Sequence, residues 1–193
     1  MRSLREYIIK ADFDFAESFT TESGVQLYAS KRFTQDKLSN KVVTIIATPV
    51  LADDDVLQPG FEIAIDPTIY FQQNYNTTGD QDNPLVIDRR KGMYRLEPSM
   101  ILLYRENGQE DWKAYADNLL VEKVSHTEEK VVGSLIVGKT TTEKYILKYT
   151  NAALGLEAGN EVLIDKRAVP VPYWFENKEY LWMNNREILA KVG

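Results

Sequence analysis

The 193-residue chain reads as mostly β, arranged as two diverged copies of one small domain. Three observations predict this class. Its apolar residues fall in short runs rich in Val, Ile, Thr and Tyr, cut off by Gly, Pro, Asn and Asp; no long stretch carries helical periodicity; and the same landmarks recur in the same order in both halves.

In the first half, strands are predicted over residues 7–11, 24–29, 41–47, 61–65 and 93–96. In the second they are predicted over 119–124, 134–137, 144–149, 161–164 and 179–183. So many short strands at this spacing point to barrels or sandwiches rather than to an α/β sheet. Helix is confined to single turns at 98–102 and 185–189, with Asn184 or Asn185 capping the second. Residues 66–92, rich in Asn, Gln, Thr, Asp, Gly and Pro and interrupted by Tyr70, Phe71 and Tyr75, read as a long surface excursion of the first domain.

The repeat emerges when the landmarks are aligned. The first half runs through a strand at 7–10, a polar stretch, Ser23-Gly24-Val25-Gln26-Leu27 and a strand at 42–47. It continues with Leu57-Gln58-Pro59-Gly60-Phe61-Glu62-Ile63-Ala64-Ile65-Asp66, then Tyr94-Arg95-Leu96 and Met100-Ile101-Leu102. The second runs through Asn118-Leu119-Leu120-Val121, a polar stretch, Val132-Gly133-Ser134-Leu135-Ile136-Val137 and a strand at 145–148. It continues with Leu156-Glu157-Ala158-Gly159-Asn160-Glu161-Val162-Leu163-Ile164-Asp165, then Tyr180-Leu181-Trp182 and Ile188-Leu189-Ala190. Gly60 and Gly159 each feed a turn directly into an alternating strand, which calls for a backbone position that tolerates φ > 0. The first domain accordingly spans 1–106 and the second 113–193, joined through the turn-prone Asn107-Gly108-Gln109-Glu110-Asp111.

Composition removes several function classes. The chain has no cysteine, so disulfides, thiolate nucleophiles and thiolate metal sites are excluded. A net charge of −6 argues against a nucleic-acid partner, and the one basic triplet, Arg89-Arg90-Lys91, reads as a solvated turn. Residues 1–10 hold no signal-like apolar run, and no window approaches the roughly 20 apolar residues that span a bilayer, so neither export by that route nor a membrane partner is predicted. The single His126 cannot form a cluster, and three adjacent carboxylates at Asp53-Asp54-Asp55 do not converge from an extended segment, so neither a metal nor another cofactor is expected.

One motif resembles a site. Gly133-Ser134-Leu135-Ile136-Val137-Gly138-Lys139-Thr140 matches the phosphate-binding pattern G-x-x-x-x-G-K-[ST], and Val162-Leu163-Ile164-Asp165 could pass for the acidic strand that helps hold Mg²⁺. A phosphate cradle must follow a buried strand and open a helix, so that backbone N–H groups converge on the anion. Here the upstream residues are polar and acidic, Thr140-Thr141-Thr142 is a poor helix start, and three bulky apolar residues fill the loop. A nucleotide-binding protein therefore stands as the least favoured alternative, and no enzyme is predicted.

The second half resembles the chaperonin-10 (GroES) co-chaperonins, in their tandem double-domain form and with phage-encoded members in mind. The likeness rests on the strand after Gly159, on Asn177-Lys178-Glu179-Tyr180-Leu181-Trp182-Met183, similar to that family's D-G-E-E-Y-L-I-L strand, and on Ile188-Leu189-Ala190, similar to its D-I-L-A end. In that family a glycine followed by three apolar residues lies in a mobile loop that docks on the chaperonin's apical domain. Gly133-Ser134-Leu135-Ile136-Val137-Gly138-Lys139 looks like that element. Ser23-Gly24-Val25-Gln26-Leu27 looks like its counterpart, with Gln26 in place of the central apolar residue.

The resemblance implies two tandem GroES-like small β-barrels with few helical turns, in a homo-oligomeric ring that caps a chaperonin. The partner-binding residues would be Leu135, Ile136 and Val137, with Val25, Gln26 and Leu27 in the first copy. A weak apolar segment repeated around a ring gains affinity through avidity. From the residues alone, Leu135 to Val137 read equally well as a buried barrel strand. The alternative function is a virion or other assembly component whose partners are neighbouring subunits, and the expected compartment is the cytoplasm or the virion.

Overall fold

The computed structural model describes residues 3–21, 23–28, 35–51, 56–72, 74–75, 81–132 and 135–192. The chain forms two compact units, Met1–Tyr115 with Trp174–Lys178, and Ala116–Tyr173 with Glu179–Gly193.

The first unit holds, in order, β1 (Tyr7–Lys10), β2 (Ser18–Thr20), β3 (Gln26–Tyr28), α1 (Gln35–Leu38), β4 (Val42–Ala47), β5 (Glu62–Ile65), β6 (Asn74–Tyr75), β7 (Gln81–Asp82), β8 (Val86–Asp88), β9 (Met93–Leu96), β10 (Ile101–Arg105) and β11 (Lys113–Ala114). Seven strands form one antiparallel sheet in the order β11-β10-β5-β4-β1-β9-β8, and β2-β3 and β6-β7 are separate hairpins. Alternating side chains put Ile9, Ile45, Ile63, Ile65, Leu96 and Ile101 into one core.

The second unit holds β12 (Asn118–Val132), β13 (Leu135–Leu147), β14 (Glu161–Ile164), β15 (Val171–Phe175), β16 (Lys178–Asn184) and β17 (Ile188–Lys191), except that Trp174, Phe175 and Lys178 at the β15–β16 turn group with the first unit. They form a sheet in the order β15-β16-β12-β13-β14-β17. Its core is smaller: Leu119, Val121, Leu147, Val162 and Met183, with Leu156, Ile164, Leu181 and Ile188 packed around them.

The two sheets share one topology. The order β10-β5-β4-β1-β9-β8 becomes β17-β14-β13-β12-β16-β15, strand for strand. The register agrees as well: Ile9 lies between Ile45 and Tyr94, and Val121 lies between Leu147 and Leu181. Gly60 (φ 92°) and Gly159 (φ 87°) turn in the left-handed region that the sequence called for. Gly60 N–H donates to Ile45 O at 2.8 Å, and Gly159 N–H donates to Leu147 O at 2.8 Å. A one-turn 3₁₀ helix precedes each last shared strand, Pro98–Met100 before β10 and Asn185–Glu187 before β17. A bulge then falls at Leu102 and at Leu189. Each buried member of the second core thereby has a buried counterpart in the first: Tyr7, Ile9, Ile45, Ile63 and Leu96.

Several expectations need correction. The sheets are open rather than closed barrels, ending at β11 and β8 in one and at β15 and β17 in the other. Pro172 helps end the second sheet, because proline offers no N–H to a further strand. The helical turns stop at Met100 and Glu187, and Ile101 and Ile188 open strands instead. Asn184 is the cap, in a capping box with Glu187. The strands expected at 134–137 and 144–149 are one, because Thr140-Thr141-Thr142 continues the extended backbone. Residues 66–92 do more than cover the surface. Ile69 and Leu85 enter the first core, and buried Asn83 ties them together, donating to Ile69 O at 2.7 Å and accepting from Leu85 N–H at 2.9 Å.

Candidate docking segments

The longest strands in the chain make a ribbon. Asn118 to Val121 of β12 pair with β16, and Tyr145 and Ile146 of β13 pair with β14. Beyond those residues, among the described residues, β12 and β13 pair only with each other, from Val124↔Lys144 out to Val132↔Leu135. At about 3.4 Å per residue this two-stranded arm runs on the order of 30 Å past the sheet. Its sequence suits an exposed ribbon, since Val124, Thr127, Thr141 and Thr142 favour extended backbone while Ser125 and the threonines stay wettable. Thr127 and Thr141 meet across the ribbon through their hydroxyls at 3.2 Å, and Lys123 Nζ lies 2.7 Å from Glu143 Oε1. Hydrogen bonding to Lys123 holds the Glu143 carboxyl below its ordinary range, and the same bond raises the Lys123 ammonium.

Leu135, Ile136 and Val137 open β13 at the far end of this arm. Leu135 pairs with Val132 and Ile136 with Val131, past a bulge after Lys130. The tripeptide is therefore strand rather than the loop that the family likeness implied, and it belongs to the ribbon rather than to the part of the sheet that carries the core. Gly133 and Ser134, which lead into it, lie outside the described residues.

The first unit carries a shorter hairpin in the matching connection, between β1 and β4. Its register is Ser18↔Tyr28, Phe19↔Leu27 and Thr20↔Gln26. Thr21 organises the turn: its N–H donates to Val25 O at 2.9 Å, and its Oγ1 accepts from Val25 N–H at 3.1 Å. Val25 is 53% exposed, and Leu27 is half-buried. Gln26 is exposed and is drawn back along the hairpin by its amide, which donates to Ser18 Oγ at 3.1 Å. The neighbouring Tyr28, 71% exposed, is the apolar group that sequence reasoning missed. Its only signal was its place in the predicted strand.

The other candidates part company with their motifs. Gly138, Lys139 and Thr140 lie within β13, with Gly138 opposite Lys130, so extended backbone stands where a phosphate loop needs a helix N-terminus. Asp165 is engaged by Arg167 at 3.0 Å, which holds its carboxyl below the usual range. Arg89, Arg90 and Lys91 form an exposed turn capped by Asp88. Asp53, Asp54 and Asp55 lie outside the described residues. Among the described residues, no helix is long and apolar enough to cross a membrane.

Both segments offer the same chemistry. A two-stranded hairpin can take a further strand along an outer edge, and a partner that adds one can receive the apolar side chains of one face. Scans against protein-family models, curated proteins and solved structures return no match for the chain.

Proposed function

We propose that this chain is a co-chaperonin-like assembly protein, in which each sheet is an opened relative of the GroES-like barrel. Copies join into a ring, and the β12–β13 ribbon presents Leu135, Ile136 and Val137 to an apolar groove on a chaperonin. The observation that carries this reading is the paired placement of the two segments: equivalent connections of two equivalent sheets each send out a hairpin bearing glycine-led apolar residues. Each contact is weak, and multiplicity in a ring supplies the affinity.

Ring formation draws support from the sheet edges. In the first sheet β11 pairs along the outer edge of β10, Leu103 to Ala114 and Tyr104 to Lys113. In the second sheet β17 holds the same place and, among the described residues, is the last strand. Leu163 and Leu189 beside it are 53% and 65% exposed, whereas their counterparts Ala64 and Leu102 are fully buried. Burying two such leucines against another subunit stabilises association by about 3 kcal/mol or more. The same bare edge favours the second reading, a virion or other assembly component that uses only self-contacts, with the protein working in the virion rather than the cytoplasm.

The test is native mass measurement of the chain alone and mixed with a chaperonin, followed by chaperonin-assisted refolding. The Leu135→Asp, Ile136→Asp double variant is expected to keep its own oligomer and lose both chaperonin binding and refolding support. Unimpaired refolding by that variant would sink the chaperonin reading, and an intact ring that ignores chaperonin would favour the assembly component.

A further inference from the structure

We propose that Asn107 is a site of spontaneous chemical modification, at which the side-chain amide cyclises onto the backbone nitrogen of Gly108 and opens to aspartate or isoaspartate, loosening the strand that covers the edge of the first sheet. The reaction needs no partner, so it stands or falls separately from the chaperonin reading.

The chemistry is set by neighbours in sequence. Asn107 is the one asparagine of the chain that precedes a glycine. The Gly108 nitrogen bonds to the side-chain carbonyl carbon of Asn107, the carbon–nitrogen bond of the side-chain amide breaks, and ammonia leaves with the proton from the Gly108 nitrogen. The cyclic imide that remains takes up water at either of its carbonyls. One opening restores the backbone as aspartate, and the other routes it through the side chain as isoaspartate. A side chain on the attacking residue would crowd the ring closure, and glycine has none.

The structure leaves both reacting groups free. Gln109 N–H donates to Glu106 O at 3.0 Å and Gly108 has φ 81°, so Asn107 and Gly108 are the central pair of a type II turn. Both are exposed, and a Cβ built on Gly108 would meet nothing within 4 Å. Neither the Asn107 side chain nor the Gly108 N–H has a hydrogen-bond partner among the described residues. The flanking groups are tied to each other: Gln109 Nε2 donates to Glu106 Oε2 at 3.0 Å, and Lys113 Nζ lies 3.9 Å from Glu106 Oε1. Ring closure requires the peptide between Asn107 and Gly108 to rotate, and an exposed glycine turn permits it.

Asn83, Asn151 and Asn184 lack this freedom. Asn83 is buried and precedes Pro84, which has no N–H. Asn151 Oδ1 accepts from Leu154 N–H, and Asn184 Oδ1 accepts from Arg186 N–H, both at 3.2 Å. Asn177 is exposed in a turn too, but the residue after it is Lys178, whose side chain obstructs the attack.

The turn joins β10 to β11, and β11 is held to β10 by the pairs Leu103↔Ala114 and Tyr104↔Lys113. Isoaspartate lengthens the backbone of that turn, and either product adds a negative charge beside Glu106, Glu110 and Asp111. Like charges crowded into one turn repel, which weakens the hold of β11 on the edge.

The experiment ages the full chain in neutral buffer at physiological temperature. Peptide mapping by mass spectrometry follows conversion of Asn107 and Asn177, and methyl transfer by an isoaspartyl methyltransferase counts the isoaspartate. Asn107 is expected to convert roughly tenfold or more faster than Asn177, and Asn107→Gln should remove most of the methyl label. In the aged protein the Tyr115 amide, which donates to Leu102 O at 2.9 Å, should lose roughly tenfold of its protection from hydrogen exchange. Conversion of Asn107 no faster than that of Asn177, or undiminished labelling of Asn107→Gln, would overturn the site. A Tyr115 amide as protected in the aged chain as in the fresh one would overturn the loosening of β11.

Discussion

Leu102 and Leu189 occupy the same bulge in two sheets of the same topology, yet the first is fully buried and the second is 65% exposed. The same contrast separates Ala64 from Leu163. The shared strands are thus a minimal frame, and each unit has been finished differently. The first acquired β11, which covers an edge of its sheet, and the excursion whose Ile69 and Leu85 enlarge its core. The second spent its extra residues on a ribbon that leaves the sheet. What a domain adds to a repeat shows whether it has been made self-sufficient or left to meet a partner.

Equivalent core positions give the largest test of this difference. Ile63 and Val162 are matched and buried, so Ile63→Ala is expected to cost about 4 kcal/mol and Val162→Ala about 2. Hydrogen exchange at the matched Ile45 and Leu147 amides separates the two units; comparable losses of protection at both amides in either variant would show that the units do not open independently.

Backbone geometry sharpens the comparison next. Gly92 (φ 61°) and Gly155 (φ 63°) have nearly the same conformation, but a Cβ on Gly92 would lie 2.0 Å from Ala11 O, while one on Gly155 meets nothing within 4 Å. Gly92→Ala should cost about 3 kcal/mol and Gly155→Ala about 1, measured as shifts of the urea midpoint. Equal costs would mean that the close approach at Ala11 relaxes freely.

A buried asparagine braces each unit. In the second, fully buried Asn151 donates to Ala116 O at 2.8 Å and to Asn118 O at 3.0 Å, and accepts from Leu154 N–H at 3.2 Å. Asn151→Ala strands those groups and should cost about 2 kcal/mol by urea denaturation.

The smallest effect is on alkaline stability. Burial above all, with Asp14 nearby, pushes the Tyr70 and Tyr94 hydroxyls of the first unit up from 10.0. Their stabilising contribution is complete below pH 10. Above it the unfolded chain releases protons that the folded unit still holds, so stability falls by about 1 kcal/mol per pH unit for each group. Tyr94→Phe should flatten that slope between pH 10 and 11, and a slope unchanged from wild type would show that Tyr94 does not contribute to it.

The strongly periodic parts are legible from residue order alone. Leu57 to Asp66 and Leu156 to Asp165 superpose in register because a glycine turn and an alternating strand leave little local freedom. The first residues of β10 and β17, Ile101-Leu102 and Ile188-Leu189, read as the ends of one-turn helices in the sequence because Pro98 and the Asn184–Glu187 box mark helix starts, and nothing local announces that each turn stops two residues sooner. β15 escapes sequence reading because Pro170 and Pro172 argue against strand, although an edge tolerates them. Ile69 and Leu85 hide in a polar segment without period. The docking segments stand out as glycine-led apolar runs, but the arm that carries one of them does not.

The sequence by itself determined the β class, the order of landmarks in two copies and the turns at Gly60 and Gly159, since these depend on side-chain period and backbone freedom over a few residues. Tertiary structure alone decided which edge is covered, how far β12 and β13 run beyond their sheet, and the entry of Ile69 and Leu85 into the first core. Those outcomes depend on hydrogen bonds and burial between residues tens of positions apart, where chain connectivity rather than local preference selects the partner.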